Sequence, residues 1–332
     1  MPDTINEEIL SEKIKQKLKK KNRYLLHISL FIITFITTTL AGVFWISGKD
    51  GPYEIDMLLK GLPYSISIML IISFHEFGHY FAAKFHKVKA TLPFYIPFPP
   101  IPYFLNFGTM GAVIKTKTPI PSKKAMFDIG VAGPLAGFVA CLIVLIYGFT
   151  HVPGVEYLLQ IHPDFFSPNF GKGELGLEFG NTLLFTFFKD IFIAPGRFFP
   201  PMSEIYHYPY LCVGWFGLFI TSMNMIPVGQ LDGGHISYSL WGDKLHFHVA
   251  SVSLILLFIL GITGILYEAN VWAVNFGWDG WIFWALILYF VIKPKHPPIY
   301  DDTQLDNFRK FLGYLSFFIF IISFSPSPFM LK

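Results

Sequence analysis

Charge is what this chain has least of. Only 14% of its 332 residues are Asp, Glu, Lys or Arg, against about 25% in an ordinary soluble domain. The formal net charge of +3 is too small to point to a nucleic-acid partner. Cysteine is nearly as scarce: Cys141 and Cys212 are the two present, each inside an apolar run, which argues against a disulfide framework or a thiolate metal site. With so few solvating groups, the composition disfavours a soluble enzyme, a disordered tail and a secreted disulfide scaffold. Apolar residues make up 53% of the chain and aromatics 18%, and the mean hydropathy is +0.51. These values describe a polytopic membrane protein whose solvent is the lipid bilayer.

The expected fold class is an all-α polytopic membrane protein of about seven transmembrane helices with a small membrane-associated β-hairpin or sheet. Residues 1–23 form a basic segment holding Lys13, Lys15, Lys17, Lys19, Lys20, Lys21 and Arg23. The first apolar run, Tyr24–Ser47, is too long for a signal-peptide core and is taken as a retained span. With the polar turn after it, this makes a unit 24–61. Further runs fit spans at Leu62–Phe85, Ala125–Phe149, Tyr208–Pro227, Val249–Tyr267, Gly280–Ile292 and Phe311–Phe324. Residues 91–123 are broken by proline and then alternate like a strand around Gly111–Thr118. Residues 150–205 carry six acids against three bases, with a short apolar stretch, Thr182–Ala194, that suggests an interfacial or re-entrant segment. Basic flanks stay on the side where insertion leaves them. Alternating spans then put the N-terminus and the lysine clusters in the cytoplasm and the acidic loop outside. The expected location is a bacterial inner membrane. The chemistry falls in 62–235, and 236–332 supply C-terminal helices.

His75, Glu76 and His79 stand in the second span, where ionisable groups cost roughly 2.5–3.5 kcal/mol each even on lenient insertion scales. A bound cation supplies the compensation. Residues four apart on an α-helix differ by about 40° in azimuth and about 6 Å along the axis, so both imidazoles can grip one ion. Glu76 lies about 100° from His75, beside the ion, where a carboxylate can take a proton from metal-bound water. Catalytic zinc usually takes three protein ligands and keeps one position open. Asp232 is the candidate third ligand, because it also follows an apolar span and should reach the same depth. Pro227, Gly229, Gly233 and Gly234 break regular helix around it, which membrane depth tolerates only inside protein or beside a wet cavity. His235 competes with it. Asp128, opening the third span, reads as a helix cap, and His246 and His248 as interface residues. Gly130, Gly133 and Gly137 form a small-residue stripe suited to close packing on the HEFGH helix.

HEFGH in one span and Asn224-x-x-Pro227-x-x-x-x-Asp232-Gly233 in a later one resemble the site-2 protease family of intramembrane zinc metalloproteases. The segment Gly108–Phe138 resembles the branch typified by the ethylene-dependent gravitropism-deficient and yellow-green homologues. The resemblance covers about Leu62 to His235 and has no room for a PDZ insertion. It implies a Zn2+-dependent endopeptidase acting on single-span membrane proteins. His75, His79 and Asp232 would be ligands, Glu76 the general base and acid, and Asn224 a contact to substrate or to the developing oxyanion. The hairpin at Gly108, Gly111, Ala112, Val113 and Ile114 would pair with an unwound substrate backbone by strand addition. Two alternatives remain. One is a catalytically silent metal-binding scaffold or transporter. The other is a surface-cutting membrane protease, which would need a late glutamate ligand, for which the later spans offer only Glu268.

Overall fold

The computed structural model describes residues 2–48, 51, 53–99, 101, 106–168, 170, 176–299, 301 and 303–331, with backbone alone at 2–21 and 331. The lysine side chains of the N-terminal cluster from Lys13 to Lys21, and Lys172 and Glu174 of the acidic loop, lie outside the described residues. The order is α1 (Pro2–Ser47), α2 (Ile55–Phe85), β1 (Phe94–Pro97), β2 (Thr109–Val113), α3 (Lys123–Thr150), α4 (Val155–Ile161), β3 (Leu177–Phe179) and α5 (Leu183–Phe192). A 3-10 turn (Ile205–His207) then leads into α6 (Pro209–Met225), α7 (Asp232–Glu268), α8 (Gly280–Ile287), a π turn (Leu288–Ile292), α9 (Asn307–Ser323) and β4 (Phe329–Leu331).

Among the described residues, four helices are long and apolar enough to cross a membrane: Asn22–Ser47, Ile55–Phe85, Lys123–Thr150 and Asp232–Glu268. Of the about seven spans expected, these four have that length and hydropathy. Each of the other apolar runs is also helical, but α6 and α9 have 17 residues each, at the short end of the roughly 17–25 residues of a spanning helix, and Gly280–Ile292 is shorter still. The reason for α6 is its position. Residues Leu211 through Phe219 are buried without interruption, so α6 meets protein rather than lipid along its length. α7 is two helices joined at Gly242, whose φ of +74° and ψ of 177° only glycine adopts without strain.

Small residues let the helices touch. A Cβ on Gly42 would lie 2.7 Å from the Gly61 carbonyl oxygen, and one on Gly61 would lie 2.4 Å from that of Thr39, so α1 and α2 cross backbone to backbone. Gly214 and Gly217 of α6 instead make room for the Leu145 and Cys141 side chains of α3. Outward, Ile28, Ile32 and Ile36 of α1, Val252, Ile255 and Ile259 of α7, and Phe311 and Phe318 of α9 are exposed. So large an apolar surface suits lipid, not water.

The acidic segment after α3 is folded. Thr182 caps α5 by accepting from the Phe185 amide, and Phe185 packs on Phe149. At ten residues, α5 is too short to cross a bilayer. β3 pairs antiparallel with β4, Phe179 opposite Phe329, which ties this segment to the C-terminus. Burial pushes the Glu204 carboxyl up to about 7 and holds the His207 imidazole down at about 4.

Two side chains differ from expectation. Ser122, not Asp128, caps α3. Asp128 instead pairs with His86 at 2.7 Å and with Arg309 at 2.7 and 2.8 Å, joining the end of α2 to α3 and α9. His246 is fully buried and shares a 2.6 Å hydrogen bond with Ser237, because the Gly242 kink folds it inward rather than leaving it at an interface.

Candidate metal centre

In α2 the four-residue spacing stacks His75 and His79 on one face, with Nε2 atoms 3.0 Å apart. Asp232, the first residue of α7, directs one carboxylate oxygen to within 3.3 Å of His75 Nε2 and the other to 3.4 Å of His79 Nε2. The turn between α6 and α7 makes this possible. A Cβ on Gly233 would lie 2.0 Å from the Met225 carbonyl oxygen, and one on Gly234 would lie 2.3 Å from that of Gly229. The chain therefore folds back on the end of α6 over residues without side chains and delivers Asp232 to the depth of the histidines. His75, Glu76 and His79 are 9%, 6% and 7% exposed, so the group is withdrawn from solvent.

His79 Nδ1 lies 2.7 Å from the Ile129 carbonyl oxygen. A carbonyl only accepts, so Nδ1 carries the proton and Nε2 turns its lone pair toward His75 and Asp232, the orientation that a metal-ligating histidine takes from its outer partner. The α3 glycines leave space for the rings. A Cβ on Gly133 would lie 2.1 Å from His79 Nε2, and one on Gly137 would lie 3.0 Å from His75 Cβ. Donor atoms on a tetrahedral zinc with bonds of 2.0–2.1 Å stand about 3.3–3.4 Å apart. Separations of 3.0, 3.3 and 3.4 Å fit that set. Glu76 also comes within 4.8 Å of both histidines, but its Oε2 is engaged elsewhere, by the Ile114 amide at 2.8 Å.

That contact ties the hairpin to the helix. β2 pairs antiparallel with β1, Val113 opposite Phe94 and Ala112 opposite Tyr95. Beyond β2, the Lys115 carbonyl accepts from the Thr91 amide and the Lys117 amide donates to the Lys89 carbonyl. Main-chain groups alternate between edges along a strand, so Ala112 and Ile114 turn theirs to the opposite edge, toward Glu76. Gly108 stands apart from this edge. Its carbonyl accepts from Thr37 Oγ1 and the Phe98 amide, its amide donates to Asn106, and a Cβ there would lie 2.4 Å from Thr38 Cα. Gly108 is thus docked on α1, while Gly111 at φ +92° meets open space.

Asn224 sits half-buried in the last turn of α6, and among the described residues no hydrogen bond ties it to His75, Glu76, His79 or Asp232. His235 turns from the cluster, its Nδ1 sharing a proton with His296 Nε2 at 2.7 Å. Glu268 closes α7 at its far end. The Ile129 carbonyl and the Ile114 amide carry no sequence signal, since main-chain groups are the same in every residue. His296, after Lys293 and Lys295, reads as an ordinary membrane boundary.

Comparison with known proteins gives this chain a family. A model of peptidase family M50 matches residues 63–262. The probable zinc metalloprotease EGY1, chloroplastic, of Oryza sativa subsp. japonica is 30% identical over 289 residues, covering 83% of this chain and 43% of the relative. The probable zinc metalloprotease EGY2, chloroplastic, of Arabidopsis thaliana is 26% identical over 278 residues, covering 83% and 44%. The chain thus spans less than half the length of these relatives, and their chloroplast names give no support to a bacterial inner membrane. With the HEFGH helix and the Asp232 turn both inside the matched stretch, this membrane chain belongs to peptidase family M50, the site-2 proteases.

Proposed function

We propose that the chain is a zinc-dependent intramembrane endopeptidase that cleaves single-span membrane proteins, with its N-terminus in the cytoplasm. One observation carries the reading: two histidine Nε2 atoms and both oxygens of Asp232 converge within 3.0–3.4 Å beside a buried glutamate. His75, His79 and Asp232 would hold the zinc, which supplies Lewis-acid chemistry, polarising a carbonyl and bringing the pKa of water from 15.7 to about 7. Glu76 accepts the proton of the attacking water on its carboxylate and delivers it to the leaving amine nitrogen. The Ile114 amide, donating to Glu76 Oε2, holds that carboxylate in place and fixes its distance from the strand edge.

A helical substrate presents no free carbonyl, because its backbone bonds are internal, so it must unwind. The Gly111–Ile114 edge offers main-chain partners for an extended segment, the amide and carbonyl of Ala112 and the carbonyl of Ile114, with Val113 exposed beside them. Docked on α1, Gly108 holds the strand's near end. Asn224, in the last turn of α6, contributes a neutral amide of the kind suited to a substrate carbonyl or a developing oxyanion.

The test is co-expression with candidate single-span proteins and mass spectrometry of the fragments. Wild type is expected to yield fragments that Glu76→Gln does not, at equal zinc content. Cleavage by the Glu76→Gln protein would remove Glu76 from the role of base, and no cleavage by wild type would favour the metal-binding scaffold.

A further inference from the structure

Among the described residues, one other group of histidine and carboxylate side chains can close on a single ion: His162, Glu204 and His207. Glu204 and His207 bracket the 3-10 turn, where side chains three apart eclipse. His162, the residue that closes α4, comes from 45 positions earlier in the chain. The two Nε2 atoms are 3.0 Å apart, and each is 3.6 Å from Glu204 Oε2. These separations repeat the His75–His79–Asp232 triangle within 0.3 Å.

With Glu204 ionised, the hydrogen bonding of the group is incomplete without a cation. His207 Nδ1 lies 2.7 Å from the Ile46 carbonyl oxygen and must donate to it, so His207 Nε2 offers a lone pair to the cluster. His162 can donate one proton to that lone pair. Glu204 Oε2 then remains, buried and without a hydrogen-bond partner, facing ring nitrogens that have no proton left for it. The side chains of His207 and Glu204 are 1% and 5% exposed and that of His162 is 32%, so the group is shielded yet open on one side. A buried acceptor oxygen and two imidazole nitrogens, converging at zinc-like separations, call for a positive centre.

We propose that His162, Glu204 and His207 bind a second divalent transition-metal ion, of the zinc class. Two imidazoles with one carboxylate select such an ion over calcium or magnesium, which take oxygen ligands. The site lies at the far end of α6 from Asp232, and the 17 residues of that helix separate the two by about 25 Å. The ion fastens α4 to the 3-10 turn, and through the His207–Ile46 bond it fastens both to the end of α1. Tyr157 of α4, donating to the His207 carbonyl at 2.8 Å, braces the same junction.

Metal analysis of the untagged 332-residue chain in detergent, loaded with zinc and freed of excess, tests this. The expected stoichiometry is two equivalents in wild type, one in His207→Ala or Glu204→Gln, one in Asp232→Ala, and none in the His207→Ala/Asp232→Ala double variant. Should the buried His207 site not tolerate alanine, the part-exposed His162→Ala variant must still fall to one. In Asp232→Ala protein, added Co2+ should give the strong d–d absorption of a low-coordinate site, and His162→Ala should abolish it. Two equivalents retained in His207→Ala and His162→Ala, or one in wild type with none in Asp232→Ala, overturns the second site. One equivalent that disappears in His207→Ala and persists in Asp232→Ala upholds it while removing zinc from the HEFGH centre.

Discussion

The two ends of α6 hold triangles of nearly the same size that differ in how they are built. At one end a helix supplies two histidines by its own periodicity, and a glycine turn brings the carboxylate to them. At the other, no two ligands share a regular helix: a 3-10 turn supplies His207 and Glu204, and the close of α4 supplies His162. Glu76 stands beside the first triangle, held by a strand edge. The second is held by main-chain oxygens and tyrosine, which anchor a segment. On the proposed reading, similar ligand geometry serves two purposes, chemistry where Glu76 and a strand edge adjoin it and fastening where only backbone does.

That comparison can be broken most forcefully at Glu76. Glu76→Gln is expected to lower peptide cleavage by at least about 10³-fold while leaving zinc content as in wild type, measured by fragment mass spectrometry alongside elemental analysis. Next comes the third ligand. Asp232→Ala or His79→Ala should remove one metal equivalent together with the activity, and an unchanged zinc content in Asp232→Ala would take that residue out of the ligand set.

The effects then turn from chemistry to packing. Gly133→Ala sets a methyl 2.1 Å from His79 Nε2; the ring must move, which should weaken metal affinity and cost about 1–3 kcal/mol as overpacking, read by thermal unfolding with and without zinc. Asp128→Asn loses its charge toward His86 and Arg309 and should cost about 1–2 kcal/mol in stability with no loss of bound metal. The smallest change is expected at Gly111→Ala. There is open space for the methyl, so only the strain of a positive φ remains, about 1 kcal/mol, and the readout is substrate KM rather than zinc content.

How much was legible follows from this contrast. The HEFGH pair could be read because helix periodicity converts spacing into direction, and Asp232 because its turn residues stand in an apolar context. The helices could be located by their apolar runs, but which of them meet lipid could not. α6 is as apolar as the spanning helices, yet it is buried by its neighbours, while α9 leaves Phe311 and Phe318 exposed, and no local window holds that difference. Asp128 looked like a cap because it opens a helix, yet Arg309 arrives from far along the chain to claim it. His162, Glu204 and His207 carry no such signal, because a 3-10 turn and a loop end have no periodicity.

By itself, then, the order of residues determined that this chain seeks a membrane, that one of its helices carries a paired imidazole grip with a carboxylate alongside, and that glycines line the partner helix. Composition and helical pitch act over a few turns and need no distant partner. The tertiary structure alone decided which apolar helix lies inside, which main-chain amide meets Glu76, and that three side chains from separate turns close on one point. Those outcomes depend on contacts between residues far apart in the chain, whose geometry is settled only when the whole bundle packs.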